Sequence, residues 1–420
     1  MTRITIVNFS DSRGGAAIAV SQLVSSLRKR QDVNIRFVVA EKNRGDSLSE
    51  GPSFFESKLH FIKRILALLF SKLQRSKNNI KHSLNIFGSS HVVDKLREGS
   101  DIIHFHWINN ETISLSQLLF ILRNRCDTKV VFTLHDEWLF CGSEHYDLIG
   151  SNRYKQGYEP KQVTTRLADI DRLIFSLKKK LIPYLSSPGV VITAPSRYLV
   201  EMAKDSFLLS KSNVHLVPNT INLDVFHKTE KSECRRYLGI PENRFVLLFG
   251  AIGGGSVIKG SDLLVATLNL LKDSVDFSDI LLVTFGGQTA GAYMLNGYEA
   301  FELGHVSERS TMAAVYSSAD LTIVPSRKEA FGQVAAESLA CETAVVAFDN
   351  SGVADIVQHG LNGYLAKAFD TDMMAGSIVK FMGLSHEQRQ HMGRLGREHI
   401  QRNFSEQIVC EKWLKIYKES

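Results

Sequence analysis

Short apolar runs alternate with helix-period stretches along most of the chain, and the alternation starts twice. In the first half, Arg3–Phe9 precedes Ser10-Asp11-Ser12-Arg13-Gly14-Gly15 and then a helical run over Ala16–Arg30. Further strands are expected at Asn34–Val39, Asp101–His106, Lys129–Thr133, Val190–Ala194 and Val214–Val217. In the second half, Arg244–Gly250 leads into a glycine-rich loop ending at Gly260 and a helix over Ser261–Lys272. Ile280–Phe285, Leu321–Pro325 and Ala344–Phe348 follow as strands, with a helix at Gly332–Ala340. Such a grammar builds βαβ units with right-handed crossovers on parallel sheets. The expected fold class is α/β, as two Rossmann-like doubly wound domains facing each other across a cleft. Val217-Pro218-Asn219-Thr220 reads as the hinge, dividing the chain into 1–218 and 219–404. A last helix, 405–420, follows the completed second sheet. Its own pattern does not say where it packs, and a return onto the N-terminal domain is the expectation.

With 420 residues and 44% hydrophobic content, there is ample material for two such cores. Five scattered cysteines without a C-x-x-C pair argue against disulfides and structural zinc, and for a reducing compartment. The longest apolar run, Ile65–Phe70, is far short of a membrane span, and Met1–Phe9 reads as a strand, not a cleavable signal. A cytoplasmic chain is expected.

Charge is unevenly placed. The net +6 arises within residues 51–100, where nine Lys/Arg face three acids; the remaining residues carry 41 of each sign. From Phe54 to Lys77, apolar residues recur at helical spacing among Lys58, Lys63, Arg64, Lys72, Arg75 and Lys77. This basic amphipathic insert, about 51–90, is either a surface for anionic membrane or a helix packed by its apolar face with solvated lysines. Nucleic acid is not expected as a partner, since no stacking platform or binding module accompanies the charge.

Several residues fall at strand ends, where ligands of parallel sheets bind. Gly14-Gly15 opens a helix and either cradles an anion or makes a tight βα turn. Gly253-Gly254-Gly255-Ser256-Val257-Ile258-Lys259-Gly260 is neither a Walker loop nor a dinucleotide fingerprint. It permits a diphosphate to approach Lys259, or it is a flexible loop with a solvated lysine. Glu329 lies in the loop ahead of Phe331-Gly332, and Glu337 on the second turn of the helix beyond. Carboxylates there suit the vicinal hydroxyls of a sugar or ribose. His104 and His106 alternate near a strand end with Trp107 following, and His135-Asp136 ends the next strand. His104 reads as structural and His135 as a site residue. No metal-ligand spacing is present, so no metal is expected.

The segment A-D-L-T-I-V-P-S-R-K-E-A-F-G-Q-V-A-A-E-S-L-A from Ala319, with S-G-V-A-D-I-V and H-G-L-N-G-Y-L after it, carries an E-x7-E motif. It resembles the donor-binding half of retaining GT-B glycosyltransferases of family 4. The likeness extends to the Gly-Gly turn, V-P-N-T-I-N-L-D-V-F and K-G-S-D-L-L; H-F-H-W-I-N-N and T-L-H-D-E-W look closest to bacterial O-antigen or exopolysaccharide enzymes. By this resemblance, Glu329 would contact the donor sugar beside the Phe331 and Gly332 amides, Glu337 would hold the ribose, and Lys259 would neutralise the diphosphate. Gly14 and Gly15 would face the donor, and His135 would touch the transferred sugar. His104, His106, Trp107 and Asp136, from their strand-end positions, are the candidates for the acceptor side of the cleft. The resemblance implies a nucleoside-diphosphate sugar as substrate, no cofactor, and a saccharide acceptor, lipid-linked and at the inner membrane face. A nucleotide-sugar epimerase and a non-catalytic carbohydrate-binding protein are the alternatives. The chain departs from the family in lacking an arginine across Ala251–Ile258, so that either Lys259 works alone or Arg197 or Arg327 compensates. It also lacks the cysteines of C-x-R-Y-x-x-G-C around Ser151–Tyr158, and has Glu342 where glycine is common.

Overall fold

The computed structural model describes every residue except 73–79, 160–168, 251–256, 273–274, 276, 288 and 419–420. The chain divides into two compact units, Met1–Asn219 together with the stretch from Cys410 onward, and Thr220–Val409.

Among the described residues, the N-terminal unit holds a six-stranded parallel sheet: β1 (Thr2–Ser10), β2 (Val33–Glu41), β3 (Ile102–Phe105), β4 (Lys129–Thr133), β5 (Val190–Ala194) and β6 (Val214–Leu216). Their order is β2-β1-β3-β4-β5-β6. The chain therefore reverses direction across the sheet between β1 and β3. That reversal leaves a crevice at their carboxyl ends, where Gly14-Gly15 and His106-Trp107 lie.

The second unit holds β7 (Phe245–Gly250), β8 (Ile280–Phe285), β9 (Gly291–Leu295), β10 (Tyr298–Glu302), β11 (Leu321–Val324), β12 (Val345–Phe348) and β13 (Gly363–Ala366). Their order is β13-β12-β11-β7-β8-β10-β9, parallel except for the β9–β10 hairpin. Alternate residues of β7 and β8 enter different cores: Val246, Leu248, Leu281 and Val283 on one face, Leu247, Phe249, Ile280 and Leu282 on the other. A parallel sheet covered on both faces explains why these strands read as continuous apolar runs. Here the reversal falls between β7 and β11, so the loops carrying Lys259 and Glu329 share one crevice.

The β9–β10 hairpin and β13 are absent from the sequence reading. The hairpin had a signal in Asn296-Gly297, whose φ values of 56° and 88° give the primed turn that suits paired strands. β13 is a four-residue edge strand in which Gly363 lies so close to Val345 that a Cβ would strike its backbone.

The basic insert forms the Phe54–Ser71 helix, with a complete capping box between Ser53 and Glu56. It lies with its narrow side inward: His60 and Ala67 are buried, Lys63 Nζ donates to Gly88 O at 2.9 Å, and Arg64 pairs with Glu41 at 2.6 Å. The apolar face points outward, with Phe54 74% and Phe55 84% exposed. Packing by the apolar face is thereby overturned, because Ile65, Leu66, Leu69 and Phe70 are all exposed. Of the basic residues named for a membrane surface, Lys63 and Arg64 turn inward and Lys58 and Lys72 stay exposed; Arg75, like Lys77, lies outside the described residues. No described helix is long and apolar enough to cross a membrane.

Candidate active site

The second unit supplies an ion pair. Gly260 takes a left-handed φ of 71° with its α-carbon against Pro325 O, a position where a Cβ would clash. This turn brings Lys259 Nζ to 2.7 Å from Glu329 Oε1, which also accepts from Ser326 Oγ at 2.8 Å. The Glu329 carbonyl is held by Gly352 N at 2.9 Å, so the loop cannot swing freely. Gly332, at φ 101°, caps the Gln333–Ala340 helix and lies close to Val353; Phe331 is buried against Phe404. The first-turn amides of this helix, just after Glu329, have no partner within the helix, which makes the turn a place suited to negative charge or hydroxyl oxygens. Glu337 sits one helical step deeper, buried, accepting from Tyr316 Oη at 3.1 Å and Gln333 Nε2 at 2.8 Å. Burial pushes its carboxyl up, against the opposing pull of Gln333, Arg309 and Tyr316.

Arg327 is engaged elsewhere. Its guanidinium binds Asp262 through both nitrogens at 2.6 and 2.5 Å and donates to Val257 O. Arg197 opens a helix of the other unit, and Gly253, Gly254 and Gly255 lie outside the described residues.

The N-terminal unit supplies a buried aromatic and imidazole web. Asp136 Oδ2 accepts from Trp107 Nε1 at 2.7 Å and His145 Nδ1 at 2.6 Å, and Oδ1 accepts from Trp138 N at 3.0 Å. Burial alone would raise the Asp136 carboxyl, but His145 and these donors outweigh it and hold it low. His135 Nε2 shares a hydrogen bond with His106 Nδ1 at 2.9 Å, and burial lowers His135 to about 4. His135 is therefore a neutral imidazole at physiological pH, able to donate or accept toward a hydroxyl without introducing charge. The His104 ring lies 4.0 Å from that of His106, tilted by 35°, and its nitrogens engage Thr133 Oγ1 at 2.7 Å and Tyr417 Oη at 2.8 Å. Gly14 has φ 86° with open space around it, exposing bare backbone at the start of the Gly15–Arg28 helix.

The structure brings Lys259 and Glu329 together, and separately gathers His104, His106, His135, Asp136 and Trp107. His145 and Tyr417 are additions that the sequence reading missed, because each meets its partner only through the fold. His145 lies nine residues past Asp136, on a loop without helical or strand period. Lys81, stacked 4.4 Å over Trp107, is another addition.

Residues 230–399 match the family described as glycosyl transferases group 1. A D-inositol 3-phosphate glycosyltransferase from Catenulispora acidiphila is 31% identical over 206 residues, 44% of this chain and 49% of that protein. The chain matches about half the length of such curated relatives. Across 99% of its length it superposes on WaaG, a glycosyltransferase involved in lipopolysaccharide biosynthesis, with TM-score 0.65 and 13% identity over 100% of that structure. Anabaena HepE, solved with UDP and glucose, gives TM-score 0.63 at 16% identity, covering 99% of each chain. The fold is GT-B. The family match covers Lys259, Glu329, Phe331, Gly332 and Glu337, while all of the histidine web lies outside it.

Proposed function

We propose that the chain is a retaining, metal-independent glycosyltransferase of family 4 that moves a sugar from a nucleoside-diphosphate sugar to a saccharide acceptor. One observation carries this reading. The Lys259–Glu329 pair sits at the β7/β11 reversal, inside the segment matching group 1 glycosyltransferases. During transfer, the bond from the anomeric carbon to the diphosphate breaks as the acceptor oxygen bonds to that carbon. The acceptor proton passes to the departing phosphate oxygen. Lys259 stabilises the charge that builds on the diphosphate, electrostatic work that a positioned ammonium can perform. Glu329 and the Phe331–Gly332 amides orient the sugar hydroxyls, and Glu337 accepts from the ribose. His135 contacts the transferred sugar as a neutral donor, and Gly14-Gly15 offers backbone amides to the donor.

The acceptor is proposed to be lipid-linked, in O-antigen or exopolysaccharide assembly at the cytoplasmic membrane face. The outward apolar face of the Phe54–Ser71 helix, flanked by exposed Lys58 and Lys72, supports this reading, as apolar patches of this extent mark interaction surfaces.

Calorimetric titration with UDP-, GDP- and dTDP-sugars tests the donor site. One of them is expected to bind, and Glu329→Ala to lower turnover by roughly 10²–10³. Binding by none, or an unaffected Glu329→Ala, refutes the site; interconversion of the sugar without an acceptor makes the chain an epimerase. Flotation with anionic liposomes tests the membrane reading, with loss expected for Phe55→Ser/Leu69→Ser.

A further inference from the structure

A second constellation lies apart from the proposed donor site. His82, Glu144 and Asp171 come from three segments of the N-terminal unit, and one donor atom of each lies within 4.8 Å of the others. His82 precedes β3, Glu144 is on the loop after His135-Asp136, and Asp171 is in the first turn of the Ile170–Lys178 helix. His82 Nδ1 is 3.2 Å from Asp171 Oδ1 and 2.9 Å from Ser143 Oγ. A backbone bridge between His82 and Glu144 sets them side by side.

Glu144 is the informative member. It is only 3% exposed; Tyr158 donates to its Oε1, and its Oε2 meets no hydrogen-bond donor among the described residues. A buried carboxylate oxygen without a donor is costly, and a neighbouring carboxylate makes it costlier. Among the described residues, the cations Arg153 and Lys178 nearby are engaged elsewhere. Arg153 pairs with Asp169 at 2.5 Å and reaches Asp171 only at Oδ2, 3.9 Å away. Lys178 Nζ donates to the Trp138, Cys141 and Gly142 carbonyls. Gly142 also keeps room here: a Cβ on it would lie 2.7 Å from Glu144 Oε2.

One imidazole nitrogen and two carboxylates form a donor set for a borderline divalent ion such as Zn2+. With zinc–ligand bonds of about 2.0–2.2 Å, tetrahedral donors stand roughly 3.3–3.6 Å apart. The His82 Nδ1 to Asp171 Oδ1 separation of 3.2 Å is already close to that edge. We propose that His82, Glu144 and Asp171 bind one divalent transition-metal ion, with Zn2+ the best match, as a structural clip. The ion ties together three segments that are far apart in sequence. It thereby fixes the loop that carries Asp136 and His145, and the His82 stretch that walls a cavity of about 460 Å³ beside the Phe54–Ser71 helix. This clip supports the site and takes no part in transfer.

Metal analysis of the full chain, expressed with supplemented zinc and freed of loosely held ions, is the test. About one divalent ion per chain is expected in the wild type, and less than a tenth of that in His82→Ala and in Asp171→Asn. Wild-type protein reconstituted with Co2+ is expected to show the visible absorption of a four-coordinate site. Dipicolinate should lower the wild-type Tm, added Zn2+ should restore it, and His82→Ala should respond to neither. Metal-free wild type after supplementation, or a full equivalent retained by His82→Ala, overturns the proposal. Should the variants fail to fold, wild-type stoichiometry and the Co2+ spectrum decide alone, and an absent band counts against the clip.

Discussion

The two units build their proposed sites in opposite ways. In the second, the working groups are a partly buried ion pair, with Lys259 32% and Glu329 14% exposed at the side chain, set on a loop braced by backbone bonds. In the first, Asp136, His104 and His106 are interior groups whose hydrogen bonds also hold the sheet edge together. A site on a braced loop separates chemistry from stability, whereas a site inside the core joins them. Substitutions in the second unit should therefore cost activity, and those in the first should cost the fold.

The strongest way to break this contrast is Asp136→Ala. It removes the acceptor shared by Trp107, His145 and Trp138, and should destabilise the N-terminal unit by about 3–5 kcal/mol. All three tryptophans, Trp107, Trp138 and Trp413, belong to that unit, so tryptophan fluorescence in urea reports it selectively. An unchanged midpoint would show that the web is not structural.

Next come Lys259→Ala and Glu329→Ala. Each should lower kcat by roughly 10²–10³ through lost charge stabilisation or sugar positioning. Neither should change stability by more than about 1 kcal/mol, the usual worth of a solvent-reachable pair. Steady-state kinetics with a thermal melt on the same samples checks both halves; a large drop in Tm would erase the distinction.

The third prediction uses pH. Burial depresses His104, His106 and His135, so the unfolded chain takes up protons that the folded unit refuses. Stability from these groups is complete above about pH 6.5 and is lost as pH falls toward the folded value, about 4 for His135. Each neutral histidine can contribute up to about 1.4 kcal/mol per pH unit within that window. Glu337 behaves in reverse, because its raised carboxyl favours the folded state at low pH and weakens it as pH climbs past the unfolded value. Fluorescence midpoints should therefore drop steeply between pH 6.5 and 5. A flat profile would mean the histidines are solvated.

The smallest expected effect is Tyr417→Phe. Losing the hydroxyl on His104 Nδ1 should cost about 1 kcal/mol in the fluorescence transition and leave donor binding by the second unit untouched. Weakened donor binding would instead couple the terminal helix to the other site.

The same contrast governs what could be read in the chain. Ser326, Glu329, Phe331, Gly332 and Glu337 fall within twelve consecutive residues of a strand-to-helix turn, so their shared location follows from local pattern. The histidine web does not compress in this way. His104 meets Tyr417 across 313 residues, and Asp136 meets Trp107 across 29. His82, Glu144 and Asp171 match no short metal-binding motif, because three separate segments bring them together.

From the sequence alone came the α/β class, two sheets, most of their strands, and the E-x7-E turn, because period, glycine placement and strand ends are encoded over a few residues. Tertiary structure alone decided that Lys259 faces Glu329, that Tyr417 reaches His104, and that the Phe54–Ser71 helix turns its apolar side outward. Amphipathicity states that a helix has two faces; only packing selects which one is buried. Here His60, Ala67 and the Arg64–Glu41 pair made that selection.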